Sequence, residues 1–193
     1  MCFSFEVSIA TFVISWSISF YLLNKGLTLG YKKEVIFLMI FSSMQLADAI
    51  LWYHKMKRNN INYIVTSLLI PLLLSLQLIY KVFFINYSEY IKFIDDKLLK
   101  ILIFLLICYL FYRFNGYSIS MCDNKLSSPI WGSNEIKGWE LILFAFLLWY
   151  PNNHMFFGTL ILLALIKIIV GGAYGTLWCA IANLLAFYYL YKY

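Results

Sequence analysis

Charged residues are scarce in this chain, at 12% against the roughly 25% of soluble domains, and the shortage excludes a water-soluble surface. Histidine is almost missing: His54 and His154 are the only two, both at helix ends, and they form no pair of the kind membrane metallohydrolases use. Four cysteines, Cys2, Cys108, Cys122 and Cys179, are too few and too scattered for a disulfide scaffold, and none are spaced as metal ligands. Cys108 and Cys179 fall within helices, where a cysteine packs as a small hydrophobe. No phosphate loop, dinucleotide fingerprint or G-x-S-x-G elbow is present, nor any repeat or low-complexity tract. Neither a metal nor a cofactor is expected. The first apolar stretch has no basic residue before it and no small-residue cleavage pattern after it, so it is expected to persist as a membrane helix, not as a cleaved signal.

What remains is apolar: 63% hydrophobic, 20% aromatic, with a mean hydropathy of +0.80. Seven stretches, at residues 7–23, 35–53, 61–85, 98–114, 139–150, 155–170 and 174–191, take up most of the 193 residues. A membrane-crossing helix needs about 20 apolar residues, and these runs lack the period-two alternation of barrel strands. The expected fold is all-α, a single transmembrane bundle of about seven helices. The fifth stretch is short and ends at Tyr150-Pro151-Asn152-Asn153, as either a tight turn between paired helices or a re-entrant tip. Loops are short except 86–97 and 115–138, and the second is expected to be the one substantial feature outside the membrane. Net charge is +6, with thirteen lysines against two arginines. Most flank the spans, where they can meet anionic headgroups. The expected partners are membrane lipids, with a small solute or ion in second place; nucleic acid is not expected.

Polar residues lie on faces. Ser4, Ser8, Thr11, Ser15 and Ser19 recur at three- and four-residue spacing and form one stripe on the first helix. Gly172, Gly175, Cys179, Asn183 and Ala186 form a matching stripe on the last. Such rows allow close backbone approach, so the first helix is expected beside the last, with a polar cavity as the other reading. The second helix carries Ser42, Gln45, Asp48 and Trp52 on one face. A carboxylate inside a span is expensive and needs a partner. Lys167 is the candidate, as the only basic residue read as lying well inside a helix; otherwise it snorkels to the interface and Asp48 bonds to Gln45 or a serine. Even-numbered helices run the same way, which gathers Asp48, Lys167, the amino terminus and the 115–138 loop on one side.

The opening Met1-Cys2-Phe3-Ser4 followed by Ser8, the run from Met44-Gln45 to Leu51-Trp52, and Gly175-Thr176-Leu177-Trp178-Cys179 resemble a family of small polytopic membrane proteins. Its members, from bacteria, algae and large DNA viruses, begin Met-Cys-Phe-Ser or Met-Cys-Trp-Ser. That family has no established activity, so the resemblance implies a seven-helix membrane protein and no substrate. It marks Cys2, Ser4, Gln45, Trp178 and Cys179.

Two function classes follow. In the first, a polar pocket of Ser4, Ser8, Gln45, Asp48, Lys167 and Asn183 near the amino-terminal face binds or passes a small solute, ion or lipid. In the second, a membrane enzyme uses a thiol, Cys2 or Cys122, with Asp48 or Glu6 as acid or base; no histidine is placed to activate the thiol, so this ranks lower. A structural or accessory role is the non-chemical alternative. Lys55, Lys57, Arg58, Arg113, Lys125 and Lys137 fall on the amino-terminal side, against Lys25, Lys32, Lys33, Lys81, Lys92, Lys97, Lys100 and Lys192 opposite. The positive-inside rule then places the amino terminus outside or in a lumen.

Overall fold

The structure is a computed structural model. It describes residues 4–85, 93–123, 126–170 and 174–193, without the side chains of 121–123, 126–128, 133, 166, 167, 169, 170 and 174–180. The fold is all-α: α1 (Phe5–Asn24), α2 (Leu29–Tyr53), a third rod made of α3 (Asn60–Ile64), a π-helical turn (Val65–Leu69) and α4 (Ile70–Phe84), then α5 (Asp96–Arg113), α6 (Gly138–Trp149), α7 (Asn153–Val170) and α8 (Tyr174–Lys192). Between α5 and α6 a small antiparallel hairpin pairs β1 (Ile119–Asp123) with β2 (Leu126–Ile130), Ile119 opposite Ile130.

The helices start and stop for identifiable reasons. Ser4 caps α1, its hydroxyl accepting from the Val7 amide at 3.3 Å, and Glu6 in the first turn suits the positive end of the helix dipole. Gly26, at φ +76°, turns the chain out of α1. Asn59 caps the third rod by accepting from the Asn62 amide at 2.9 Å. That rod then widens over Val65–Leu69, directly before Pro71. A proline ring clashes with the carbonyl four residues earlier, here that of Ser67. The π turn takes that carbonyl out of the way of the ring.

Three helices, Phe5–Asn24, Leu29–Tyr53 and the Asn60–Phe84 rod, are long and apolar enough to cross a membrane by length and composition, and the chain is a membrane protein. Gly138–Trp149 and the first part of α7 are shorter apolar helices. In its most apolar stretch α2 is 61% buried, against 22% for α1 and 44% for the third rod, so α2 is the central helix. It packs against α1, α4 and α8. Phe37 and Phe41 on α2 meet the Trp149 ring at 5.9 and 6.5 Å between centroids, joining α6 to the same core. Outward-facing Phe20, Phe104, Phe157 and Phe187 are exposed, as lipid-facing residues are.

Helices alternate in direction, which gives the bundle two ends. At one, the hairpin end, the start of α1 touches the end of α2 through Phe5 and Tyr53, with ring centroids 5.5 Å apart. At the other, the lysine end, Lys25 after α1 donates to the Tyr193 carbonyl at 2.7 Å, and the Tyr193 hydroxyl donates to Glu34 at 2.5 Å. Burial and that hydrogen bond both push the Tyr193 phenol well above the usual range. The fifth apolar stretch is α6, of 12 residues, or about 18 Å. It turns back at Pro151, where Asn152 accepts from the Met155 amide at 3.1 Å and caps α7, so a tight turn joins two paired helices.

The serine stripe of α1 is a packing seam. Ser8, Ser15 and Ser19 are fully buried, α1 lies against α2 and α8, and Ser15 donates to Asn183 of α8 at 3.3 Å. Ala182 and Ala186 supply the small surface opposite. Replacing Ser15 by alanine removes only the hydrogen bond, at about 0.6 kcal/mol on average in membrane helices. Leucine forces extra volume into the seam, at about 1–3 kcal/mol. Thermal unfolding in detergent should therefore show Ser15→Leu melting below Ser15→Ala; equal melting temperatures would mean the helices are not in close contact there.

Candidate functional site

Apart from the seam, two groups of polar residues stand out, one at each end. At the hairpin end, Asp48 is fully buried on α2 and accepts from the Trp131 indole N–H at 2.8 Å. Trp131 follows β2 in a single 3-10 turn and is itself buried, against Phe114 at 6.2 Å between ring centroids. The 115–138 loop, expected outside the membrane, thus returns its tryptophan into the bundle. Gly132 permits this: its φ is +76°, and a Cβ there would lie 3.1 Å from the Arg113 carbonyl and 3.3 Å from the Phe114 Cα.

The strand entering the hairpin is held by the π turn. Ser67 donates to the Gly116 carbonyl at 3.1 Å, and its oxygen accepts from the Gly116 amide at 3.0 Å. One residue earlier, the Thr66 and Ser118 hydroxyls meet at 2.7 Å. Asn62 completes the set: its Nδ2 donates to the Ser118 carbonyl at 2.9 Å and to the Lys57 carbonyl at 3.1 Å, while Oδ1 accepts from the Ser118 amide at 2.8 Å. Asn62, Thr66 and Ser118 are all fully buried. The segment leaving the hairpin toward α6 is held by Arg113, which donates to Glu140 at 3.0 Å and to the carbonyls of Asn134 and Glu135 at 3.1 and 2.9 Å. Glu140 also accepts from the Tyr109 hydroxyl and, at 2.6 Å, from the Lys137 amide at the start of α6.

At the lysine end a cavity of about 400 Å³ opens between the end of α4, the start of α5 and the α6–α7 turn. Lys33, Lys81, Asp96 and Lys100 contribute charge to its lining, and Phe83, Phe84 and Leu99 an apolar wall. Lys81 is almost fully buried and donates to the Tyr150 carbonyl at 2.8 Å. Lys81, counted from the sequence among the flanking lysines, does stand in the last turn of α4, but it is buried where α6 turns.

The sequence-derived candidates do not all meet. Ser8 is buried on α1 and Gln45 and Asp48 on α2, Ser4 is the α1 cap, and Asn183 bonds to Ser15 in the seam. Among the described residues the buried Ser8 hydroxyl has no partner. Lys167 stands on α7, but its side chain lies outside the described residues, as do all of Cys2, Gly171 and Gly172 and the side chains of Cys122, Trp178 and Cys179. Glu6 is exposed. Among the described residues no cluster of three or more His, Cys, Asp or Glu could hold a metal.

Sequence reading missed Trp131 as the answer to Asp48, the Asn62–Thr66–Ser118 network and the lysine-lined cavity. One local signal was present: Pro71 inside a long apolar stretch, with Thr66 and Ser67 just ahead of it. No protein-family model, curated protein or solved structure matches this chain.

Trp131→Phe keeps a ring in place but removes a donor to the buried Asp48 carboxyl group, so it is expected to cost about 1–3 kcal/mol. In an Asp48→Ala background the same change should cost much less, and amides of the hairpin should exchange faster in Trp131→Phe alone. A double-mutant cycle read by detergent unfolding measures the coupling. Strictly additive losses would show that the indole N–H does not hold the hairpin through Asp48.

Proposed function

We propose that this chain is a multi-pass membrane protein that binds a small ligand, whether solute, ion or lipid, in the cavity at its lysine end. The carrying observation is that cavity: about 400 Å³, lined by three lysines, one aspartate and an apolar wall. A pocket of this size suits a small molecule. The pocket inferred from sequence near the amino-terminal face gives way to it because Asp48 there accepts from Trp131, and Asn183 is engaged with Ser15. Those groups hold the hairpin and the helix seam. In the same reading the helices cross the bilayer in alternation, the hairpin end and amino terminus face outside or a lumen, and the lysine end faces the cytoplasm. Membership of the Met-Cys-Phe-Ser family is part of the proposal, with Ser4 of that opening serving as the α1 cap.

Two measurements test this reading. Single cysteines at Lys57 and Lys97, on a cysteine-free background in intact membranes, should react with an impermeant thiol reagent from opposite sides; labelling from one side would remove the alternating arrangement. For binding, Val82→Trp fills the cavity from its partly exposed wall. Native mass spectrometry of gently solubilised protein should show a retained small molecule that the filled variant loses, while the filled variant melts at the temperature of delipidated wild type. Identical bound species in both proteins would overturn the cavity as the site.

A further inference from the structure

We infer that the ligand taken by this cavity carries a phosphate group, bound between Lys33 and Lys100 with its remainder against the Phe83–Phe84 wall. This rests on the binding reading above and specifies its chemistry.

The first support is charge. Three lysines and one carboxylate face the cavity among the described residues. Lys81 is committed to the Tyr150 carbonyl, whereas Lys33 makes no hydrogen bond or ion pair with any described residue, and Lys100 only stands over the Phe83 ring at 5.7 Å. Lys33 is half-buried. With three lysines against the one Asp96 carboxylate, an ammonium held partly out of water and in no ion pair with a described residue favours an anion from solution or from the bilayer surface.

The second support is local backbone. Lys33 stands just after the first turn of α2, a turn with no acidic residue, and the Thr28 side chain does not cap it. No acidic side chain in that turn offsets the Lys33 charge, and the α2 dipole at this end has the same sign. The third is apolar lining: Val82, Phe83, Phe84 and Leu99 also line the cavity, and Phe83 and Phe84 are strongly exposed on the outside of the bundle. A charged floor beside an outward-facing aromatic wall matches a phosphate attached to something apolar, while a free phosphate would use the floor alone.

The experiment uses the full chain, delipidated in a neutral detergent, with thermal unfolding as readout. Probes are inorganic phosphate, phosphatidic acid, phosphatidylcholine and diacylglycerol, each added to wild type and to Lys33→Gln/Lys100→Gln. Lys33 bonds to no other described element, Lys100 only stands over the Phe83 ring, and Lys81 is left intact because it pins Tyr150. Phosphatidic acid should raise the melting temperature of wild type, with an apparent affinity about thirtyfold weaker in the double variant and falling with salt. Stabilisation by inorganic phosphate to the same extent, with the same dependence on the two lysines, would support the phosphate site and identify free phosphate as its source. If diacylglycerol stabilises as well as phosphatidic acid and the double variant responds like wild type, the phosphate inference is overturned while cavity binding stands. If phosphatidic acid and phosphate act equally on wild type, the double variant and the Val82→Trp protein, both fail.

Discussion

A carboxylate buried in the central helix must be answered by a donor, and much of this architecture follows from that requirement. Asp48 sits on α2, the helix that packs against α1, α4 and α8. Water is excluded, so an unanswered acceptor there would cost several kcal/mol. Trp131 supplies an N–H at 2.8 Å, and it reaches Asp48 because the segment between α5 and α6 folds inward as a hairpin. Gly132, the Arg113–Glu140 pair and the π turn each serve to place or retain that segment.

The π turn joins local strain to tertiary contact. Pro71 makes a regular helix unfavourable one turn earlier, the rod widens, and Thr66 and Ser67 present hydroxyls where an ordinary apolar helix would present none. In lipid such hydroxyls need partners, and the incoming loop has backbone groups in the same need. Each side satisfies the other. The hairpin end is therefore closed by mutually satisfied polar groups, and the lysine end is where charge exceeds its internal partners, so the two ends are suited to different tasks.

Glu140 illustrates how far such satisfaction extends. Its two oxygens accept from Arg113, Tyr109 and the Lys137 backbone, which fixes the start of α6 to the end of α5. Helix α6 can then be as short as 12 residues and still run from Arg113 to the level of Lys81, where Lys81 holds the Tyr150 carbonyl.

By itself the sequence determined the solvent and the helices: shortage of charge and long apolar runs leave an all-α membrane bundle as the economical solution, and small residues at helical spacing on α1 mark a seam. These are properties of periodicity, which a chain carries locally. It also singled out Asp48, because a carboxylate in an apolar run stands out wherever it is. Only the tertiary structure decided what meets Asp48, since Trp131 lies 83 residues away in a loop whose composition gives no sign of an inward path. The same holds for the cavity. Lys33, Lys81 and Lys100 read as ordinary flanking lysines one by one, and only the packing of α2, α4 and α5 brings them around a common space, because convergence in space is set by helix order and tilt, which no local pattern encodes.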